Sequence, residues 1–183
     1  MIIFAVVVGI VVIGFLSYFI KTKNKFNQYI VTINESKSTV EIALAKRYDV
    51  ISQMCEVVKK YTAYEQNIMS QLINVRQGAS LQEANAIIDN QSQVLRQIHA
   101  VAEAYPELAS NGLYTQLMGQ IASQNEYLAA AKRTLNSNIS MLNQLVVTFP
   151  ASMVASMSGV HQMEFLREEN LEIKRNVNIG EML

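Results

Sequence analysis

The chain has 183 residues with 15 basic and 15 acidic side chains, a formal net charge of zero, so nothing in its overall charge draws it to nucleic acid. Half of the residues are hydrophobic and only 16% are charged, against roughly 25% in soluble domains. The single cysteine, Cys55, excludes an internal disulfide and agrees with a reducing compartment.

Residues 1–20, M-I-I-F-A-V-V-V-G-I-V-V-I-G-F-L-S-Y-F-I, carry no charged side chain, and about 20 apolar residues are what a helix needs to cross a hydrocarbon core. They are expected to form a membrane anchor. A cleaved signal peptide would need a basic segment before its apolar core and small residues at a cleavage site, where this chain has Phe15-Leu16-Ser17-Tyr18-Phe19-Ile20. Lys21, Lys23 and Lys25 follow the span, and only the amino terminus precedes it. An excess of basic residues marks the cytoplasmic side. The expectation is a single-pass protein of the cell inner membrane, with its amino terminus outside and its C-terminal domain in the cytoplasm.

From Phe26 to Gly78 the chain is free of proline and of internal glycine, and steps of four and three connect Phe26, Ile30, Ile33, Lys37, Val40, Leu44, Arg47, Ile51, Met54, Val58, Tyr61, Glu65, Ile68, Leu72 and Val75. This seam predicts one long helix in knobs-into-holes packing. Lys37, Arg47 and Glu65 break the apolar rule, either by snorkelling to the rim or by pairing.

Gly78-Ala79-Ser80 reads as a tight turn, with Ser80 and Glu83 forming a capping box for a second helix reaching about Ala104. Its inward residues would be Ala84, Ile88, Gln91, Leu95, Ile98, Ala102 and Tyr105. The break at Tyr105, Pro106 and Gly112 reads as a corner of the bundle, or alternatively as a ligand loop. An antiparallel hairpin at residue 79 would set this corner beside residues 46–53. A third helix follows through Tyr114, Leu117, Ile121, Leu128, Ala131, Leu135, Leu142 and Phe149, with Gln124 and Asn138 as polar steps. Pro150 suits the first turn of a fourth helix continuing through Met153, Met157 and Val160. The division expected is an anchor (1–20), a helical stalk (21–45), an antiparallel bundle (46–165) and a charged tail (166–183).

The sequence offers no G-x-S-x-G, no phosphate-cradling glycine loop and no Cys/His cluster. Neither His99 nor His161 has a glutamate three residues before it, as a carboxylate-bridged metal site in a bundle requires. No catalytic residue, metal or cofactor is expected.

Asn34, K-R-Y-D-V-I at 46–51, Y-T-A-Y-E at 61–65, E-A-Y-P-E-L at 103–108, Asn125-Glu126, A-K-R-T-L-N at 131–136 and Phe149-Pro150 together, behind one N-terminal span, resemble the LemA family of bacterial membrane-anchored proteins. The resemblance covers nearly the whole chain, although Leu135 stands where the family commonly has an aromatic residue. It implies an all-α, up-and-down four-helix bundle with no established enzymatic activity, held at a bacterial membrane.

The function expected is a self-associating helical scaffold at the cytoplasmic face. The alternative is a regulatory subunit coupling the anchor to a partner protein of unknown identity. Two site expectations accompany this reading. Glu65 and Arg133 are expected to form a buried ion pair, by levelling the first and third helices. Phe26, Ile30, Ile33, Val40 and Leu44 are expected to lie bare on the stalk and to pack against further copies of the chain.

Overall fold

The computed structural model describes residues 1–61 and 66–167, and every regular element among them is helical. Helix α1 spans Ile2–Val58 without interruption. At 1.5 Å per residue its 57 residues extend about 85 Å. The first 20 are almost all exposed, with Ile3 81% and Phe4 75% accessible. Among the described residues α1 is the one unbroken helix long and apolar enough to cross a membrane. Beyond it the predicted seam turns inward: Phe26, Ile33, Val40, Leu44, Arg47, Ile51, Met54 and Val58 are all buried.

The long helix ends about 20 residues sooner than its uninterrupted pattern suggests. After Val58 the chain turns and forms the short helix α2 (Gln66–Gln71), then follows an irregular path to Ser80. This segment lies along helix α3 (Leu81–Ala104) and is held by an asparagine. Asn90 Nδ2 donates to the Gln71 carbonyl at 2.7 Å, and its Oδ1 accepts from the Ile73 amide at 2.9 Å. Gly78, at φ 77°, occupies the left-handed region that a side chain disfavours, and its amide donates to Glu41 of α1. The chain has therefore come back down the bundle before α3 starts.

As a result α3 runs parallel to α1, not antiparallel as the hairpin reading has it. Ala84, Ile87 and Ile88 pack with Val40 and Leu44, whereas Leu95, Ile98 and Ala102 pack with Ile51, Met54 and Val58. The one-turn helix α4 (Pro106–Ala109) then makes the corner, and helix α5 (Gly112–Val147) returns antiparallel to α1. Ser36 meets Asn138, Lys46 lies over Tyr127, and Val57 shares a groove with Leu117. The corner thus sits beyond Val58 at the far end of the body, not beside residues 46–53. Helix α6 (Ala151–Ser158) turns away from α5 by 100°. Gly159, at φ 67°, reverses the chain, and residues 160–167 climb back along α5. The described residues give three long helices with two of them parallel, in place of four alternating ones.

Two apolar clusters form the interior. The lower joins α1 from Phe26 to Leu44 with the start of α3, the second half of α5, α6 and Leu166. The upper joins Val50–Val58 with the rest of α3, α4 and the start of α5. Each fully buried Leu, Ile or Phe contributes roughly 1.5–3 kcal/mol of transfer free energy. The predicted stalk is consequently not bare: Phe26, Ile33, Val40 and Leu44 are at most 2% exposed, and Ile30 is half-buried beside them. Their cover comes from the same chain, because α5 and α6 reach down to that level. Leu166, 1% exposed, belongs to the same cluster, so the body extends past 165; residues 168–183 of the expected tail lie outside the described residues.

Candidate functional site

The foot of the body is built around the end of the exposed apolar stretch of α1. Lys21, Lys23 and Lys25 are exposed there, with the Lys25 ammonium 5.9 Å from the centre of the Tyr29 ring. Thr22 is buried, and Phe19 packs against the lower cluster. Helix α6 belongs to that cluster through its small residues. Ala151, Val154 and Ala155 are buried, while Met153 and Met157 are 50% and 66% exposed and Phe149 76%. The small residues fit against α1, which leaves the large ones outside.

Between the two clusters lies a polar layer. Arg47, only 3% exposed, donates from Nη2 to Ser92 Oγ at 3.0 Å. Gln91, fully buried, donates from Nε2 to the Leu44 carbonyl at 3.2 Å. Lower down, Asn138 Nδ2 donates to Ser36 Oγ at 2.6 Å, and Ser36 Oγ donates to the Thr32 carbonyl. Buried polar groups are costly when unmatched, so these contacts fix the register of α1 against α3 and α5. Arg47 and Asn138 were visible as interruptions of apolar spacing; their partners Ser92 and Ser36 were not, since the expected helix directions set them elsewhere.

The clamps on the returning segment went unread in the sequence. Asn136 and Asn143, seven residues apart on α5, each grip one residue of the segment, bonding to both the amide and the carbonyl of Leu166 and of Met163 respectively. Asn85 of α3 accepts from the Arg167 amide at 3.0 Å. Asparagine is a weak helix former, and its repetition on a nearly buried face is the available signal.

At the distal corner Tyr105 is 41% exposed and Pro106 opens α4. Gly112 is the first residue of α5, with a backbone outside the left-handed region, so its special conformational freedom is not used. The turn is set instead by Asn111, whose Oδ1 accepts from the Leu113 and Tyr114 amides. Its Nδ2 donates to the Tyr61 hydroxyl at 2.9 Å, tying the corner to the end of α1. Burial, reinforced by the nearby Glu103 carboxylate, raises the Tyr114 phenol above its ordinary value.

Of the expected ion pair, Glu65 lies outside the described residues, while Arg133 is exposed and its neighbour Lys132 is buried. Arg133 stands level with about residue 41 of α1, because α5 starts beyond Val58 and is antiparallel to it, which undoes the levelling used. Among the described residues no three His, Cys, Asp or Glu side chains converge as metal ligands. A surface hollow of about 520 Å³ lies between α3 and the returning segment and is lined mainly by Gln82, Asn85, Asp89, Glu164, Phe165 and Arg167.

No curated protein matches the sequence. Residues 36–180, most of the chain and nearly the whole helical body built on the polar layer and the asparagine clamps, match the LemA family, and the chain belongs to that family.

Proposed function

We propose that the protein is a membrane-anchored helical scaffold at the cytoplasmic face of a bacterial inner membrane, with its amino terminus outside and no catalytic role. One observation supports this reading above the others: the exposed apolar span and the central helix of the body are one unbroken helix, Ile2–Val58. An anchor continuous with the core carries the body rigidly with it, over about 57 Å from residue 20 to residue 58. The basic residues Lys21, Lys23 and Lys25 give the orientation.

Self-association is assigned to the outer face of α1, since its seam is occupied within the chain. Val31 and Ile42, 56% and 49% exposed, are three helical turns apart on that face. Copies standing upright in one bilayer present these residues to each other at equal height. Cross-linking in native membranes followed by affinity recovery tests the proposal. Recovery mainly of the protein itself, lost in Val31→Asp with Ile42→Asp, supports it. A stoichiometric enzyme recovered in its place replaces it with the regulatory reading.

A further inference from the structure

The outer face of α6 is the wrong kind of surface for water. A short helix against a protein body normally turns polar residues outward. In α6 the face opposite Ala151, Val154 and Ala155 carries Met153 and Met157, one turn apart, and Phe149 and Val147 (60% exposed) flank it. The small residues are buried and the large apolar ones face out.

The location of this face is fixed by the path of the chain. Helix α5 descends antiparallel to α1, and continuing the Ser36–Asn138 register brings Val147 beside about residue 27. Residues 160–167 climb away again, with Met163 bonded to Asn143 and Leu166 to Asn136. The reversal between them, which contains α6, is the lowest part of the body. It belongs to the cluster against which Phe19 packs, so it sits within about 10 Å of the end of the exposed apolar stretch. Because α6 makes an angle of 100° with α5, it lies across the axis along which α1 leaves the body. Exposed Lys21, Lys23 and Lys25 surround this level.

An apolar helical face lying crosswise near the end of a span that is followed by three exposed lysines has the character of an interfacial helix, whose apolar side enters the headgroup and upper acyl region roughly 5–10 Å deep. We propose that α6 rests in the lipid surface of the bilayer that α1 crosses, with Phe149, Met153 and Met157 inserted and the lysines placed to meet anionic headgroups. The protein then touches the membrane at two points, a span and a foot. This rests on reading residues 1–20 as a membrane span. Lipid is the occupant the geometry favours over a second copy, because the patch lies about 10 Å or less above the end of the span, within the depth of the headgroup region.

The test uses the full chain in nanodiscs of mixed phosphatidylcholine and phosphatidylglycerol. In a Cys55→Ala background, a fluorophore is attached in turn at Met153→Cys, Met157→Cys, Thr115→Cys at the distal end, and Val8→Cys within the span. The expected result is aqueous iodide quenching at 153 and 157 about fivefold weaker than at 115, together with quenching by lipids spin-labelled near the headgroup. Equal iodide quenching at 153 and 115, with Val8 quenched by lipids labelled deep in the chain, overturns the foot and leaves the anchor standing. Protection that appears only in discs holding two copies also overturns it, in favour of a protein contact. Loss of deep quenching at Val8 removes the anchor reading, and the foot with it.

Discussion

Asn136 bonds to the backbone of Leu166 from both ends of its amide: Nδ2 donates to the carbonyl at 2.8 Å and Oδ1 accepts from the amide at 2.9 Å. Asn143 repeats the arrangement at Met163 with two bonds of 2.8 Å. A side-chain amide has the same donor and acceptor spacing as a peptide, so each asparagine acts as a one-residue strand for a segment that has none. Removing it leaves two partly buried peptide groups unmatched. Asn136→Ala is expected to cost about 1–3 kcal/mol, and to speed amide hydrogen exchange at Leu166 well before the rest of α5 opens. Unchanged exchange at Leu166 would show that the clamp does not hold the segment.

The inward position of the lower seam makes a contrast between two isoleucines. Ile33 is 2% exposed within the lower cluster, and Ile42 on the same helix is 49% exposed. Ile33→Asp is expected to destabilise the chain by more than about 3 kcal/mol, since the carboxylate has no water or partner there. Ile42→Asp should shift stability by less than about 0.5 kcal/mol. Urea unfolding of the two variants in detergent decides this. Equal, small effects would return the seam to the bare stalk that the sequence suggests.

Two glycines should respond oppositely to alanine. At Gly112 an added methyl meets nothing within 4 Å and the backbone is helical, so Gly112→Ala is expected to stabilise by about 0.5–1 kcal/mol. At Gly159, also open but at φ 67°, the left-handed backbone makes Gly159→Ala destabilising by about 1 kcal/mol. Thermal unfolding midpoints that move the same way for both would refute the assignment of the two turns.

The start of α3 carries a pH signature. The Ser80 amide donates to Glu83 at 2.6 Å and Ser80 Oγ accepts from the Glu83 amide, completing the capping box. The backbone bond, then the Ser80 side chain, hold the Glu83 carboxyl below its ordinary value of 4.5. A carboxyl depressed in the folded state contributes stability that is complete above its unfolded pKa and is lost as pH falls through the lower folded value. Wild type should therefore lose more stability than Glu83→Gln between about pH 5 and pH 3. Parallel profiles for the two proteins would count against the box.

Topology is tested in intact cells. With Cys55 buried, an added Thr115→Cys at the exposed distal end of α5 should escape an impermeant thiol reagent until the membrane is opened, then react fully. Labelling from outside would invert the orientation.

The helical pattern was most legible where one face stays buried on one partner throughout. From Phe26 to Val58 the seam positions and the buried positions nearly coincide, because a continuous helix in a core has a single period to satisfy. Past Val58 the same spacing continues through Tyr61, Leu72 and Val75, all partly buried, but there the residues pack from an irregular segment lying on α3. A few apolar residues at helical intervals fit either backbone. The capping box at Ser80 located the start of α3 correctly, yet a cap says where a helix begins and nothing about which way it points. Its direction depended on the path of residues 66–79, which return along α3, and from that followed the displaced corner, the bare stalk and the level assigned to Arg133.

The unbroken α1 has a mechanical consequence. Because no joint separates residues 2–20 from the body, any lean that these residues took in the bilayer of the proposed anchor would become a lean of everything above it. Membrane-crossing helices lean by about 20° on average, and by more when the apolar stretch exceeds the local thickness, so over a lever of about 57 Å the distal corner swings sideways by ~20 Å. The Asn111–Tyr61 tie fastens that corner to the tip of the lever. A bilayer that thickens or thins by a few ångströms would be read out far above its surface as a change in reach.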